Sequence, residues 1–313
     1  MSNEAQFNSS PVINDFLNFC SEEAAPFVGE IKLSRQLDPP LFNEAADLLL
    51  NLAKISLGNN FPKQVVSGYR NLMIDTIKCQ MRYEASGHYE SSSYAEVRAR
   101  TYDSGDFMNL YHWGVFVETF GWRHHLKMLK MFRDDFISRL ESEERPLLLD
   151  LGCGSGVWHF LAQHFLPKLS ILGVDISDTS IAIVRNLVAQ LKKEDSISYV
   201  QADATSYESD QLFDAGICCL LLEHLEKPED IFKVFQKALN PRGYAFVSCA
   251  LTAAEVSHIH EFKDELEVAA LAVANGFRVL HMQSFAPDNF PAGKKYLPRS
   301  LAMIIQKKVN EIW

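Results

Sequence analysis

The spacing of apolar and polar residues divides the chain into a helical first part and an alternating second part. From Phe42 to Leu57, apolar side chains recur at steps of one, three or four residues, which predicts an amphipathic helix. Three more helices are predicted, from Val12 to about Ala25, from Lys63 to about Arg82, and from Trp122 to Leu140. The segment Glu84–Asp106 is polar and irregular, and it interrupts this helical region.

From residue 147 onward the pattern becomes strand, helix, strand. Such alternation predicts a doubly wound, mostly parallel sheet with right-handed crossovers. The link between the last two strands contains Pro287, Pro291 and Pro298, so we expect a loop there and an antiparallel pair at the sheet edge. The seven predicted strands are 147–150, 171–175, 197–201, 213–219, 244–248, 277–283 and 300–306, and the helices are 157–165, 179–192, 228–239 and 261–275.

The change of pattern predicts two regions. At about 150 residues per domain, a chain of 313 residues allows two units or one domain with an extension. We predict an α-helical region at 1–125 and an α/β core at 126–313. The predicted fold class is therefore α/β, a seven-stranded sheet with an N-terminal α-helical extension. The helices either cap a substrate pocket or form a homodimer, and the sequence does not decide between these roles.

Composition and charge exclude several classes of function. The chain has 30 Lys and Arg against 40 Asp and Glu, a net charge of −10, so sequence-independent binding of nucleic acid is not expected. No run of about 18 apolar residues occurs, and the N-terminus lacks a signal-peptide pattern, which predicts a cytoplasmic protein without membrane contact. The six cysteines include no Cys-x-x-Cys pair, so no metal site is predicted.

Candidate chemistry begins where the first predicted strand ends. The apolar run finishes at Asp150, and glycines then occupy positions 152, 154 and 156 before a helical pattern resumes. Such a turn lets the backbone approach a ligand closely and directs the N–H groups of a helix N-terminus toward it. The spacing is Gly-x-Gly-x-Gly, not the Gly-x-Gly-x-x-Gly of nicotinamide-binding proteins. The alternative is a tight strand-to-helix corner without a ligand.

Polar residues also stand at the ends of the next strands. In open α/β sheets, ligands bind beyond the carboxyl ends of the strands. Asp175 ends the second strand and lies 23 residues beyond Gly152, near the spacing expected of an acid that binds ribose hydroxyls. Asp203 follows the third strand, and Glu223-His224-Leu225 follows the fourth. The alternatives are a helix N-cap for Asp175 and a surface turn for Asp203.

These four features, in this order, resemble the motifs of the class I S-adenosylmethionine-dependent methyltransferases. The resemblance covers about residues 126–313, and it implies a Rossmann-like core that binds S-adenosyl-L-methionine and releases S-adenosyl-L-homocysteine. A turn is predicted at residues 240–243, between the helix at 228–239 and the fifth strand, and within it Arg242 stands where the family usually has glycine, which changes the turn but little else. The cofactor contacts that the resemblance implies are Asp150, Gly152, Cys153, Gly154, Gly156, Asp175, Ile176, Asp203, Ala204, Cys219 and Leu220.

The acceptor side is less clearly marked. His258 and His260 lie in the loop after the fifth strand, and with His224 they are candidate catalytic bases because imidazole titrates near neutral pH. The alternatives are solvated loop histidines and, for His224, a packed histidine at a helix start. Aromatic residues before the core either contact the substrate or hold the helices to the core. The predicted substrate contacts are Tyr102, Tyr111 and Trp113.

The resemblance implies in-line transfer of a methyl group, and we predict a small, partly hydrophobic metabolite as the acceptor, at oxygen, carbon or nitrogen. A general base is needed only for a hydroxyl or an acidic carbon. No Asn-Pro-Pro-Tyr or Asp-Pro-Pro-Tyr sequence follows the fourth strand, which disfavours the amino-group methyltransferases of nucleic acids and glutamine. Methylation of protein or RNA remains an alternative. Another is a protein that binds S-adenosylmethionine without transferring the methyl group.

Overall fold

The computed structural model describes residues 10–101, 104–288 and 293–309. Within them, the α-helices are α1 (Pro11–Glu23), α2 (Val28–Leu37), α3 (Pro39–Leu57), α4 (Lys63–Ser86), α5 (Tyr94–Arg100), α6 (Gly105–Gly121), α7 (Arg123–Met131), α8 (Val157–Phe165), α9 (Asp178–Leu191), α10 (Glu229–Ala238) and α11 (Glu265–Ala274). The strands are β1 (Leu147–Leu151), β2 (Ser170–Asp175), β3 (Ile197–Gln201), β4 (Phe213–Cys219), β5 (Leu239–Leu251), β6 (Phe277–Phe285) and β7 (Arg299–Lys307).

The seven strands form one sheet in the order β3-β2-β1-β4-β5-β7-β6. Strands β1 to β5 run parallel, and β7 runs antiparallel to both β5 and β6. This confirms the predicted fold class, including the antiparallel pair at the edge. Because the first five strands are parallel, their carboxyl ends lie at one edge of the sheet, and the order reverses beside β1, where ligands bind in such folds.

Both faces of the sheet are buried. Successive strand residues point to opposite faces, so Leu148 belongs to the apolar cluster under the N-terminal helices, α8 and α9, whereas Leu149 belongs to the cluster under α10 and α11. The first cluster runs without a break from Phe16 in α1 to Phe246 in β5. The helical region and the sheet therefore share a core, and the boundary between residues 125 and 126 stays a prediction.

Several elements differ from the sequence-based expectations. Helices α2, α5 and α6 were not predicted, and α5 lies inside the segment expected to be irregular. The long helix predicted from Trp122 to Leu140 is α7 followed by a π-helical turn at Phe132–Phe136 and a 3-10 turn at Ile137–Leu140. The wider turn buries Phe132 and Phe136 together under the sheet, next to Phe246.

Strand β5 also starts earlier than predicted. The expected turn at residues 240–243 lies within the strand, where the register with β4 shifts between Phe213 and Ala215. Arg242 has a φ of 65° at this irregularity, so its backbone is left-handed at the position where the family that the sequence resembles usually has glycine. The strand therefore bends without ending.

The segment after β5, residues 252–262, is closed at its base and held from outside. Thr252 N donates to Phe262 O over 3.0 Å, which brings the two ends of the segment together. Gln80 of α4 bonds it twice, through Nε2 to Thr252 O at 3.2 Å and through Oε1 to Ala254 N at 2.9 Å. This fixes the segment between the sheet and the N-terminal helices.

None of the helices in the described ranges combines the length and the apolar character needed to cross a membrane.

Candidate cofactor and acceptor site

A cavity of about 530 Å³ lies at the carboxyl ends of β1, β2 and β4. Its opposite wall is formed by helices α4, α6 and α7, so the helical region closes over the edge of the sheet. This volume falls within the range of small-molecule sites. The cavity is therefore the place where the fold can hold a ligand of metabolite size.

The glycine loop forms one wall of this cavity. Gly152 N and Cys153 N both donate to Val174 O, at 2.8 and 3.0 Å, which presses the loop against β2. Gly152 and Gly154 have φ values of 71° and 52°, which favour glycine. A Cβ at Gly152 would lie 2.6 Å from the Leu221 side chain, whereas a Cβ at Gly154 would meet nothing within 4 Å. The space in front of Gly154 is thus open to a ligand.

Asp175 stands at the end of β2, where it joins the glycine loop to the next helix. Its Oδ2 accepts from Gly154 N and its Oδ1 accepts from Ser177 N, each at 2.8 Å. Burial raises the pKa of this carboxyl, and the N–H groups of Ser177 and Gly154 oppose the shift. The N-cap of α9 is Ser177, whose Oγ accepts from Ser180 N. The Asp175 carboxylate therefore remains in the cavity wall.

Asp150 lies deeper and begins a buried chain of hydrogen bonds. His159 Nδ1 is 2.8 Å from Asp150 Oδ2, and His159 Nε2 is 2.8 Å from the Tyr199 hydroxyl. A carboxylate accepts, so Nδ1 carries the proton and Nε2 accepts from Tyr199. Burial raises the pKa of Asp150, while the His159 bond lowers it. The chain fixes the orientation of the acid, which also lines the cavity.

Removing the Tyr199 hydroxyl is expected to destabilise the fold. Tyr199→Phe leaves the fully buried His159 Nε2 without its partner, which costs about 1–3 kcal/mol of unfolding free energy. Urea unfolding followed by circular dichroism measures this change. Tyr207→Phe, the same chemical change on a partly exposed ring, should stay within about 0.5 kcal/mol of the wild type. Equal stability of the two variants would mean that the His159 bond contributes nothing.

A second polar group lines the same cavity, where Glu223, His224 and His258 each present a ligand-type atom within 4.8 Å of the others. The rings of His224 and His258 are perpendicular, with centroids 4.9 Å apart. We call these three residues the Glu-His-His cluster. Glu223 Oε1 accepts from Ala250 N at 3.0 Å, while Glu223 Oε2 is buried and has no hydrogen-bond partner among the described residues.

Burial shifts the pKa of every titratable group in this cluster toward its neutral form. Burial lowers the pKa of His224 to about 4, and burial together with the neighbouring His224 ring lowers that of His258 to about 3. Burial raises the pKa of Glu223 to about 8, against the opposing effect of backbone N–H groups. Around pH 7 the two imidazoles therefore offer lone pairs, and they do not titrate near neutrality as the sequence argument assumed.

Three further acids in the wall were not predicted, namely Glu30, Glu118 and Glu255, and burial shifts the pKa of the last two. Burial raises the pKa of Glu118, and it raises the pKa of Glu255 to about 7. Glu118 Oε1 lies 3.7 Å from His125 Nδ1, and Glu255 Oε2 lies 3.9 Å from His258 Nε2. Glu118 is an acidic residue within an otherwise apolar stretch of α6, and this was the feature of the sequence from which a functional role could have been predicted. The end of the cavity next to these groups is consequently rich in carboxyl and imidazole groups.

The predicted site residues fall into two sets. The cavity wall contains Asp150, Gly152, Cys153, Gly154, Asp175, Cys219, Leu220, His224, His258 and Tyr111. Six others are not part of that wall, namely Gly156, Ile176, Asp203, Ala204, His260 and Trp113.

The residues of the second set have other surroundings. Asp203 Oδ1 accepts from both Thr205 N and Thr205 Oγ1, at 2.8 and 2.7 Å, so it forms a local turn. His260 is half-buried against Phe262. Trp113 packs edge-on against Phe116 in the apolar core, which agrees with the alternative that these aromatic residues hold the helices to the core. Tyr102 lies outside the described residues.

Comparison with known proteins gives consistent matches for the second half of the chain. Residues 148–243 match the family model described as a methyltransferase domain. A ubiquinone biosynthesis O-methyltransferase of Hydrogenovibrio crunogenus is 28% identical over 133 residues, 41% of this chain and 52% of that protein. An uncharacterized methyltransferase of Schizosaccharomyces pombe is 26% identical over 174 residues, 53% of this chain and 57% of that protein. The chain thus spans about half the length of these curated relatives.

A solved structure shows the same fold. It belongs to a protein of Galdieria sulphuraria that is provisionally named a sarcosine dimethylglycine methyltransferase. The TM-score is 0.50 and the sequence identity 16%, over 59% of this chain and 85% of that one. At this identity the likeness concerns the fold alone.

Proposed function

We propose that this chain methylates a small acceptor molecule inside the cavity. The chain belongs to the class I S-adenosylmethionine-dependent methyltransferase family through its domain at residues 148–243. S-adenosyl-L-methionine is the cofactor of this family. One observation carries the proposal. The glycine loop and Asp175 stand in the wall of the same cavity as the Glu-His-His cluster, so a cofactor and an acceptor can meet there.

The residues at the glycine loop fit this cofactor. The open space in front of Gly154 admits a ligand that a side chain would exclude. The Asp175 carboxylate accepts from Gly154 N and Ser177 N, and its two oxygens together have about four acceptor positions, so it can also accept from ribose hydroxyls. Asp150 would face the amino end of the cofactor. When bound, S-adenosylmethionine supplies an electrophilic methyl group on a positively charged sulfur.

The adenine contacts stay proposals that rest on the family resemblance. Asp203 and Ala204 follow β3, which is the neighbour of β2, and Ala202 N donates to Asp175 O at 3.0 Å. Ile176 is 44% exposed beside them. We place the adenine ring along this rim of the strand ends, outside the enclosed volume, while the glycine loop holds the methionine portion.

At the other end, the chain's own groups position the acceptor. His258 Nδ1 donates to Ala253 O at 2.8 Å, which turns Nε2 outward as an acceptor of hydrogen bonds. The carboxyl of Glu255 next to it is within reach of a proton released by an acceptor O–H or N–H. The helices above exclude water and hold the two reactants in line, which is the main source of rate in such a transfer. Among the three predicted histidines, His224 and His258 are the ones that face this space.

A small acceptor suits the enclosed shape, because α4, α6 and α7 cover the strand ends. The name of the Hydrogenovibrio relative supports an acceptor that is a small molecule with a hydroxyl group. The cytoplasmic location and a homodimer through the N-terminal helices remain predictions. Size-exclusion chromatography with light scattering checks the dimer.

The activity can be tested without knowing the acceptor. Purified protein is mixed with S-adenosylmethionine and the small-molecule fraction of a cell extract, and S-adenosylhomocysteine is quantified by mass spectrometry. We expect product above the level of a protein-free control and of the Asp175→Ala variant. Product that requires the macromolecular fraction of the extract would contradict a small-molecule acceptor. Cofactor binding without product in any fraction would favour a non-transferring protein.

A further inference from the structure

We propose that Glu223, His224 and His258 form a binding site for one divalent transition-metal ion, facing the acceptor end of the cavity. The proposal begins from their placement. The three residues come from two segments, the turn after β4 and the closed segment 252–262, and their ligand-type atoms converge to within 4.8 Å of one another. All three are buried and all three line the cavity. Two imidazoles and one carboxylate are a donor set that suits zinc, iron, nickel or cobalt.

The two imidazoles are oriented as metal-binding histidines usually are, each with one nitrogen bonded to a backbone carbonyl. His258 Nδ1 lies 2.8 Å from Ala253 O, and His224 Nδ1 lies 3.0 Å from Ser257 O. Because a carbonyl only accepts, each Nδ1 carries the proton in these two hydrogen bonds, and the Nε2 atom of each ring is the metal donor that the proposal requires. The Leu220 carbonyl also bonds the His224 ring. Two backbone carbonyls therefore hold the His224 ring in one orientation.

Glu223 supplies the third donor and an independent observation. Its Oε2 is fully buried and has no hydrogen-bond partner among the described residues, although its Oε1 accepts from Ala250 N. An unpartnered buried carboxyl oxygen costs about 1–3 kcal/mol or more. The Glu223 carbonyl accepts from Ile259 N and His260 N, both at 2.9 Å, which ties the turn after β4 to the segment that carries His258. The pair of segments is thus assembled before any ion binds.

The site is open on one side. Atoms bound to one zinc ion lie about 2 Å from it, so the three side chains would turn toward a common centre when the ion binds. Three protein ligands leave at least one coordination position, and it faces the cavity because all three residues line it. If the proposed methyl transfer is correct, an acceptor oxygen at that position would be acidified by the ion, as metal-bound water is. The metal site itself does not depend on that activity.

The test measures metal binding without S-adenosylmethionine. The purified chain is stripped with EDTA, dialysed against Zn²⁺ or Co²⁺, and analysed by plasma mass spectrometry and calorimetry. We expect one ion per chain in the wild type. His258→Ala and Glu223→Gln should each weaken binding by at least about 100-fold, the upper end of what the loss of an outer-shell partner costs. His281→Ala, which changes a histidine on the exposed edge strand, is the matched control and should bind like the wild type.

Two further measurements keep the outcome interpretable. His258→Gln keeps an amide that can donate to Ala253 O, so it should fold like the wild type in EDTA by circular dichroism and still lose the ion. The Co²⁺ absorption spectrum should show nitrogen and oxygen ligation without thiolate charge-transfer bands. Stoichiometric binding that survives both cluster substitutions, thiolate bands from the cysteines, or no ion in the wild type would each overturn the proposal.

Discussion

The Asp175→Ala variant is expected to lose about 10²–10⁴-fold in affinity for S-adenosylmethionine. The carboxylate lies in the cavity wall, where we propose that it accepts two hydrogen bonds from the ribose. Hydrogen bonds to a charged group contribute about 1.5–3 kcal/mol each, or about 3–6 kcal/mol for two, and each 1.4 kcal/mol is about a factor of ten in affinity. The variant also frees Gly154 N, so the glycine loop loses one of its hydrogen bonds to β2 and keeps those of Gly152 N and Cys153 N to Val174 O. Calorimetric titration with S-adenosylmethionine measures the effect.

Asp178→Ala is the matched control for this variant. Asp178 is the first residue of α9, three positions farther along, and its carboxylate bonds the exposed Gln201 side chain outside the cavity. We expect its affinity to stay within about a factor of two of the wild type. The thermal unfolding midpoint of each variant shows that it is folded. A folded Asp175→Ala with unchanged affinity would remove Asp175 from the cofactor site.

Phe246→Ala is expected to destabilise the protein by about 3–5 kcal/mol, the usual cost of deleting a fully buried aromatic ring. Phe246 lies in β5 with no solvent exposure. Its ring centroid is 5.0 Å from that of Phe132 and 6.0 Å from that of Trp158, so it joins the sheet to the helices that cover it. Losing this ring leaves a cavity at the centre of the shared core. The urea concentration at the unfolding midpoint, with the slope of the transition, gives the change.

Leu266→Ala is the control for core packing. Leu266 is 71% exposed on α11, and removing the same kind of apolar surface there should cost no more than about 0.5 kcal/mol. If Phe246→Ala unfolded at the same urea concentration as this control, the helical region and the sheet would not share a cooperative core. Two separate transitions in the wild type would point to the same conclusion.

The sheet was predictable because its strands are short apolar runs bounded by turn signals. Three elements, β3, β4 and α8, have the bounds that the sequence indicated. Helix α2 was missed because it buries only Ile31 and Ser34, which gives too short a stripe to show a period. A turn was expected at 240–243 because Pro and Gly usually end strands, yet β4 pairs with β5 on both sides of these residues, at Leu239 and from Tyr244 onward.

The candidate site was predictable only as far as it depends on strand ends. Gly152, Gly154 and Asp175 could be placed together because parallel strands end at one edge. The acidic groups at the acceptor end could not be placed in this way, because Glu118 and Glu255 line the cavity only through the packing of α6 and of segment 252–262. A histidine titrates near neutral pH when its ring is exposed to solvent. The rings of His224 and His258 are buried, and burial lowers their pKa values well below 7.

The role of Trp113 could not be predicted from the sequence either. An aromatic residue before the core is compatible with a substrate contact and with a core staple, and the spacing along one helix does not separate the two. In the structure its side chain is 2% exposed, within the apolar cluster between the helices and the sheet. Tyr111, its neighbour but one, lines the cavity instead. A turn of about 200° for two helical positions separates the two directions.

The most direct test of the central claim is a calorimetric titration of the wild-type chain with S-adenosylmethionine. The account predicts saturable binding of one molecule per chain, with competition by S-adenosylhomocysteine at the same site. Absence of binding by a folded chain, or saturable binding that a nicotinamide dinucleotide displaces and S-adenosylhomocysteine does not, would contradict it.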